Sequence, residues 1–262
     1  MMTIRMRLQA PFAFLTALFS FLYGCGSGEQ PVAGSLPATV EDTIAAEADL
    51  QPGWINLFDG SGMDQWKGFG QDSLPAGWLV DHGMMVLRAP DTDQTGSRGD
   101  LITRDTFGNF ELELEVMLTD SANSGIFIRV PDDPSHVLWQ WAPEFQLIDD
   151  PIYDHWLGEE HMFKHHTGDC YDLYAAEPGL ASTTGVWNAV RILALGSQVQ
   201  YWLNGRVAVS FDMASPDWQQ RVAKSKFSPF PQFAKAKSGH IGLQDHDHAV
   251  RFRNIRIRRI SE

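Results

Sequence analysis

The segment Phe110-Glu111-Leu112-Glu113-Leu114-Glu115-Val116 alternates strictly, with apolar groups on one side and acids on the other. A period of two is the signature of a half-buried strand, because successive side chains of extended backbone point to opposite faces. Wound as a helix, the same residues would scatter carboxylates around the whole circumference. From Gly53 onward the chain repeats this theme in short alternating runs broken by turn residues. Gln198 to Leu203 and Arg206 to Phe211 flank Asn204-Gly205, a strong two-residue hairpin signal. Val250 and Phe252 share one parity and Ile255 and Ile257 the other, so a bulge is expected near Asn254. Roughly a dozen strands at short spacing predict an all-β chain, a sandwich or jelly roll. One short helix is expected where Ser215 caps Pro216 and Asp217 to Ser225 continue. Residues 149 to 183 carry many polar groups and little periodicity, and read as a long loop of the kind that builds sites.

The ends of the chain read differently. Arg5 and Arg7 precede an apolar run from Ala10 to Tyr23 that is short for a bilayer span. Leu22-Tyr23-Gly24-Cys25 resembles a bacterial lipobox, which makes residues 1–24 a lipoprotein signal peptide and Cys25 the acylated residue. Residues 25–52 have the Gly, Ser, Pro, Ala and acid content of a flexible tether, leaving 53–262 as the folded domain. The expected location is therefore the cell envelope, with the membrane as a partner through lipid. With Cys25 acylated, Cys170 has no partner and no disulfide is expected. A net charge of −13 argues against nucleic acid, which demands clustered Lys and Arg. The run Arg251, Arg253, Arg256, Arg258, Arg259 lies in a strand pattern and reads as a solvated face.

Three strands carry polar groups on a common parity. Asn123, Gly125, Phe127 and Arg129 share one face; Glu144 and Gln146 share another; His240, Gln244 and His246 a third. Each has a structural reading: Arg129 and Glu144 as an ion pair, Gln146 and Gln244 as amides satisfied by neighbouring strands. The recurrence in three strands favours a polar cleft on the hollow side of one curved sheet. His165-His166 and His246-Asp247-His248 contain metal-ligand types, but adjacent strand residues point apart and no HExxH or Cys-based spacing is present. No resident metal is assigned. Calcium through Asp149, Asp150 or Asp247 stays open.

Gly53-Trp54-Ile55-Asn56-Leu57-Phe58-Asp59-Gly60 with Trp66 resembles the opening of the 3-keto-disaccharide hydrolase family. The likeness continues through 123–129, Glu144-Phe145-Gln146, Trp187-Asn188, Trp202-Leu203-Asn204-Gly205, 239–246 and Phe252-Arg253-Asn254-Ile255. It implies a concanavalin A-like jelly-roll sandwich with a curved sheet and a ligand groove. It also implies an exported enzyme that cleaves 3-keto-glycosides. The stretch around His165 to Asp172 departs from the family pattern, which leaves substrate choice open. The implied chemistry is removal of the acidified C2 proton, expulsion of the C1 substituent and addition of water. Glu144 or His246 is the expected base, Arg129 the enolate stabiliser, and Asn123, Gln146, Tyr171 and Gln244 the sugar contacts. A non-catalytic carbohydrate-binding lipoprotein and a structural surface protein are the competing functions.

Overall fold

The computed structural model describes residues 53–90 and 96–261. The signal peptide, Cys25 and the tether expected over 1–52 lie outside the described residues. Two antiparallel sheets pack face to face, as expected for a sandwich. The larger sheet joins β1 (Ile55–Phe58), β3 (Trp78–Asp81), β4 (Met84–Leu87), β6 (Phe110–Leu118), β9 (Trp187–Leu195), β10 (Gln198–Leu203), β11 (Arg206–Asp212) and β13 (Val250–Arg259). The smaller runs β2 (Trp66–Gly68), β5 (Leu101–Thr103), β12 (His240–Leu243), β7 (Asn123–Val130) and β8 (Glu144–Ile148), in that order.

Alternation supplies the core. Leu112, Leu114 and Val116 of β6 face Ile126, Ile128, Phe145, Leu147, Ile241 and Leu243 from the smaller sheet, all within one buried cluster. The β6 acids point outward and meet the β13 arginines across the ladder: Glu115 accepts from Arg253, Glu113 from Arg256, and Glu111 from Arg258 and Arg191. The arginine run is thus half of a cross-strand charge ladder. Asn254 adopts φ of 52° and the β13–β6 register shifts there, which is the expected bulge. It lets Val250, Phe252, Ile255 and Ile257 all reach the core despite opposite parity.

The expectation of a single short helix is corrected. α3 (Pro216–Lys224) is the expected one, with the Ser215 hydroxyl accepting from the Trp218 amide at 3.1 Å. The stretch read as a long loop contains two more, α1 (Asp150–Leu157) and α2 (Glu159–Met162). At eight and four residues, both are too short for a 3.6-residue period to stand out among polar neighbours. Beyond them the segment 168–171 pairs with the free edge of β8: Gln146 N–H donates to Asp169 O, Gly168 N–H to Gln146 O and Tyr171 N–H to Glu144 O. This covers an open sheet edge and carries Tyr171 over the sheet.

Candidate active site

On the outer face of the smaller sheet, β7, β8 and the Gln244 end of β12 present the polar parity set. Asn123, Glu144, Gln146, Tyr171, Gln244 and His246 line one cavity of about 200 Å³. The cavity is smaller than those of drug-sized ligands, which suits a single sugar ring. Its lid comes from the insertion: Tyr153 and Leu157 of α1, His161 and Met162 of α2, and His165. Trp139, from a 3-10 turn at Leu138–Gln140, closes another side.

Glu144 is the chemical centre. Its side chain lies across the sheet over Gly125, where a Cβ would sit 2.8 Å from the Glu144 carboxyl carbon and 2.9 Å from Cγ. Glycine at 125 is what leaves room for the carboxyl. Glu144 is only 4% exposed, and its carboxylate accepts no hydrogen bond among the described residues. Burial pushes its pKa up to about 8, against the lowering pull of Lys226 and with a smaller push from Asp100. The Asp100 carboxyl is itself raised to about 6 by burial, although it accepts the Asp245 amide at 2.8 Å.

Lys226, in the connection after α3, is the only lysine or arginine of the cavity among the described residues. Its ammonium lies 3.8 Å from the Tyr171 ring centroid, 4.6 Å from that of Trp139 and 5.3 Å from that of Phe227. This aromatic cage holds the cation in place. Burial lowers the Lys226 pKa, while the Glu144 and Asp172 charges raise it. Glu144 and Lys226 thus line one cavity, where the exposed ammonium and the buried carboxyl each shift the protonation of the other. Tyr171 is pushed up to about 12, first by burial and then by Glu144, so it remains a hydrogen-bond donor. Its ring stacks on His165 at 4.4 Å between centroids. His165 is lowered by burial.

The other predicted residues fall into two groups. Gln146 is buried, and its Oε1 accepts the Leu147 amide at 2.9 Å. Gln244 and Asn123 are half-buried, and His246 is exposed at the rim, 6.3 Å from the His248 ring. Arg129 is not in the cavity, which corrects its expected role as enolate stabiliser. Arg129 has φ of 57°, and the β7–β12 register slips there, with His240 opposite Val130 but Gly242 opposite Phe127. The bulge breaks the alternation, so Phe127 and Val130 share one apolar cluster and Arg129 leaves the polar face. Its guanidinium donates instead to Gly108 O at 2.9 Å and Gly196 O at 2.6 Å. Lys226 and Trp139 escaped the sequence reading, since loop packing brings them in and no periodicity marks them.

Asp149 and Asp150, named for calcium, spend carboxylate oxygens on the Ser121 and Thr167 amides, each at 2.8 Å, while Asp247 is exposed. Among the described residues no three His, Cys, Asp or Glu side chains are grouped to hold a metal ion. The outer face of the larger sheet has a roomier cavity of about 650 Å³. Of its carboxylates, Glu113 and Glu115 are bound to Arg256 and Arg253, and Asp59 accepts from the Ser61 amide and hydroxyl.

Comparison with known proteins agrees with this architecture. The sequence profile of the 3-keto-alpha-glucoside-1,2-lyase-like domain matches residues 53–258. A 3-keto-disaccharide hydrolase of Bacteroides thetaiotaomicron is 30% identical over 246 residues, 86% of this chain and 84% of that protein. A crystal structure from Parabacteroides distasonis, assigned as a glycosyl hydrolase, superposes with a TM-score of 0.72 at 30% identity, covering 86% of this chain and 98% of the other. A second from the same organism shares the fold at 24% identity and a TM-score of 0.59, covering 79% and 100%. The chain belongs to the 3-keto-disaccharide hydrolase (3-keto-alpha-glucoside-1,2-lyase-like) family of glycosidases.

Proposed function

We propose that the chain cleaves the glycosidic bond of 3-keto-glycosides or 3-keto-disaccharides by elimination followed by hydration. The observation that carries this reading is a buried carboxyl, accepting no hydrogen bond among the described residues, that shares one cavity with a caged ammonium and with amide, phenol, imidazole and apolar side chains. A ketone at C3 acidifies the C2 proton. Ionised Glu144 takes that proton, and the C2–H electron pair moves to form an enolate with its charge on the C3 oxygen. The Lys226 ammonium, held in place by the Tyr171 and Trp139 rings, stabilises this charge. The enolate re-forms the ketone and expels the C1 oxygen substituent, which takes up a proton. Water then adds across the C1–C2 double bond to give the free 3-keto sugar. One base near its working pH suffices, without the paired carboxylates at fixed spacing of ordinary glycosidases. Asn123, Gln146, Tyr171 and Gln244 bind the sugar hydroxyls, and His246 lies at the rim on the side where a leaving group departs.

Incubation of the full chain with a 3-keto-glucoside and with the matching unoxidised glucoside tests this. Aglycone release is expected from the oxidised substrate alone, with solvent deuterium appearing at C2. Equal release from both would rule out the elimination. Saturable binding of the 3-keto-glucoside without turnover would instead favour the carbohydrate-binding reading.

The lipobox-like segment supports placing the enzyme at the cell envelope, tethered through a lipid on Cys25. Metabolic labelling with palmitate is expected to tag the wild-type chain and not Cys25→Ala. Labelling of both would remove the anchor.

A further inference from the structure

The surroundings of Arg129 do not account for it. The side chain is 4% exposed, and no carboxylate lies within ion-pair distance among the described residues. Its Nε and Nη1 are spent on two backbone carbonyls, while Nη2 is buried with no hydrogen-bond partner among the described residues. A buried cation neutralised only by carbonyl dipoles is costly, and such charges are normally paired.

Gly108 and Gly196, whose carbonyls hold the guanidinium, line with Arg129 a cavity of about 790 Å³. The arginine therefore forms part of its floor. Lys235, Lys237 and Arg259 add three more cations to the walls, and no carboxylate lines them among the described residues. In a chain of net charge −13 this concentration of one sign is unexpected. Arg259 is partly offset by Asp105 at 3.1 Å, beyond the lining. Lys235 and Lys237 are exposed. The rest of the wall is largely apolar, with Met213, Trp218 and Ile260. The volume lies within the range of small-molecule sites, and this cavity shares no lining residue with the Glu144 cavity.

We propose that this second cavity is a binding site for a small oxyanion, a carboxylate or sulfate borne on an organic body. The anionic group neutralises the Arg129 guanidinium and is drawn in by Lys235 and Lys237, and the apolar wall takes the remainder of the ligand. The site stands independently of the reaction assigned to Glu144.

Calorimetric titration of the full chain with sodium glucuronate, sodium sulfate and uncharged methyl glucoside, at constant ionic strength, tests the proposal. Saturable binding of at least one anion is expected, with no comparable binding of methyl glucoside. Glucuronate alone would identify an organic carboxylate as the source of the charge, and sulfate alone an inorganic or ester sulfate. The double variant Lys235→Ala/Lys237→Ala is expected to keep the wild-type Tm and glycoside cleavage, and to bind the anion at least tenfold more weakly. Arg129→Gln is expected to lose binding; if it does not fold, the lysine variant decides. No saturable binding of either anion overturns the site. So does equal affinity in the lysine variant, which would place the anion in the Glu144 cavity or elsewhere.

Discussion

Glu144→Gln is expected to lower kcat on a 3-keto-glycoside by about 10³-fold while leaving the protein folded, the scale expected for loss of a positioned general base. The amide has nearly the shape of the carboxyl, so it fits over Gly125 as the native side chain does. The variant also gives a stability signature that separates burial from catalysis. The native carboxyl holds its proton up to about 8, against an ordinary value of 4.5. Between those values the folded state binds more protons than the unfolded chain, so wild-type stability falls as pH rises through the window. The glutamine variant lacks this slope. Its Tm is therefore expected to gain on the wild type progressively from about pH 5 to about pH 8. Thermal melts across that range, beside steady-state kinetics, check both halves. Full activity in the variant would remove Glu144 as the base, leaving His246 as the remaining candidate.

Lys226→Met has the second-largest expected effect, a loss of about 10²- to 10³-fold in kcat, the scale of removing one preorganised charge-stabilising group. Methionine keeps an unbranched apolar stem against Tyr171 and Trp139 and removes only the charge. Because the ammonium favours the ionised form of Glu144, its removal drives the Glu144 pKa further up. The rising limb of the pH–rate profile, set by the base, is accordingly expected to move to higher pH. A lysine that merely packed against the rings would leave that limb in place, so the limb position is the deciding measurement. Stability is expected to change little, since Lys226 is exposed and methionine keeps its apolar stem.

Six of the seven predicted site residues line one cavity, and alternation accounts for four of them. Asn123, Glu144, Gln146 and Gln244 follow from strand parity, and the bulge at Asn254 followed from a phase slip in the apolar pattern. Tyr171 and His246 lie on connections and came from the family resemblance and from continuing a strand pattern past its end. Arg129 failed by the same rule that served the others. A residue with φ of 57° inside β7 resets the alternation, and nothing in Asn-Ser-Gly-Ile-Phe-Ile-Arg announces it.

Local backbone geometry is encoded over a few residues, so the alternating pattern determined the strands and most of their buried faces, while Asn204-Gly205 and Ser215-Pro216 marked the hairpin and the helix cap. Only the tertiary structure decided the electrostatics. The distance between Glu144 and Lys226 along the chain says nothing about their meeting. It is the pairing of 168–171 with the edge of β8, the 3-10 turn before β8 and the path of the connection after α3 that bring Tyr171, Trp139 and Lys226 into the cavity of the carboxyl. The physical reason is that a pKa depends on the exclusion of water and on charges a few ångströms away, and both are set by long-range packing.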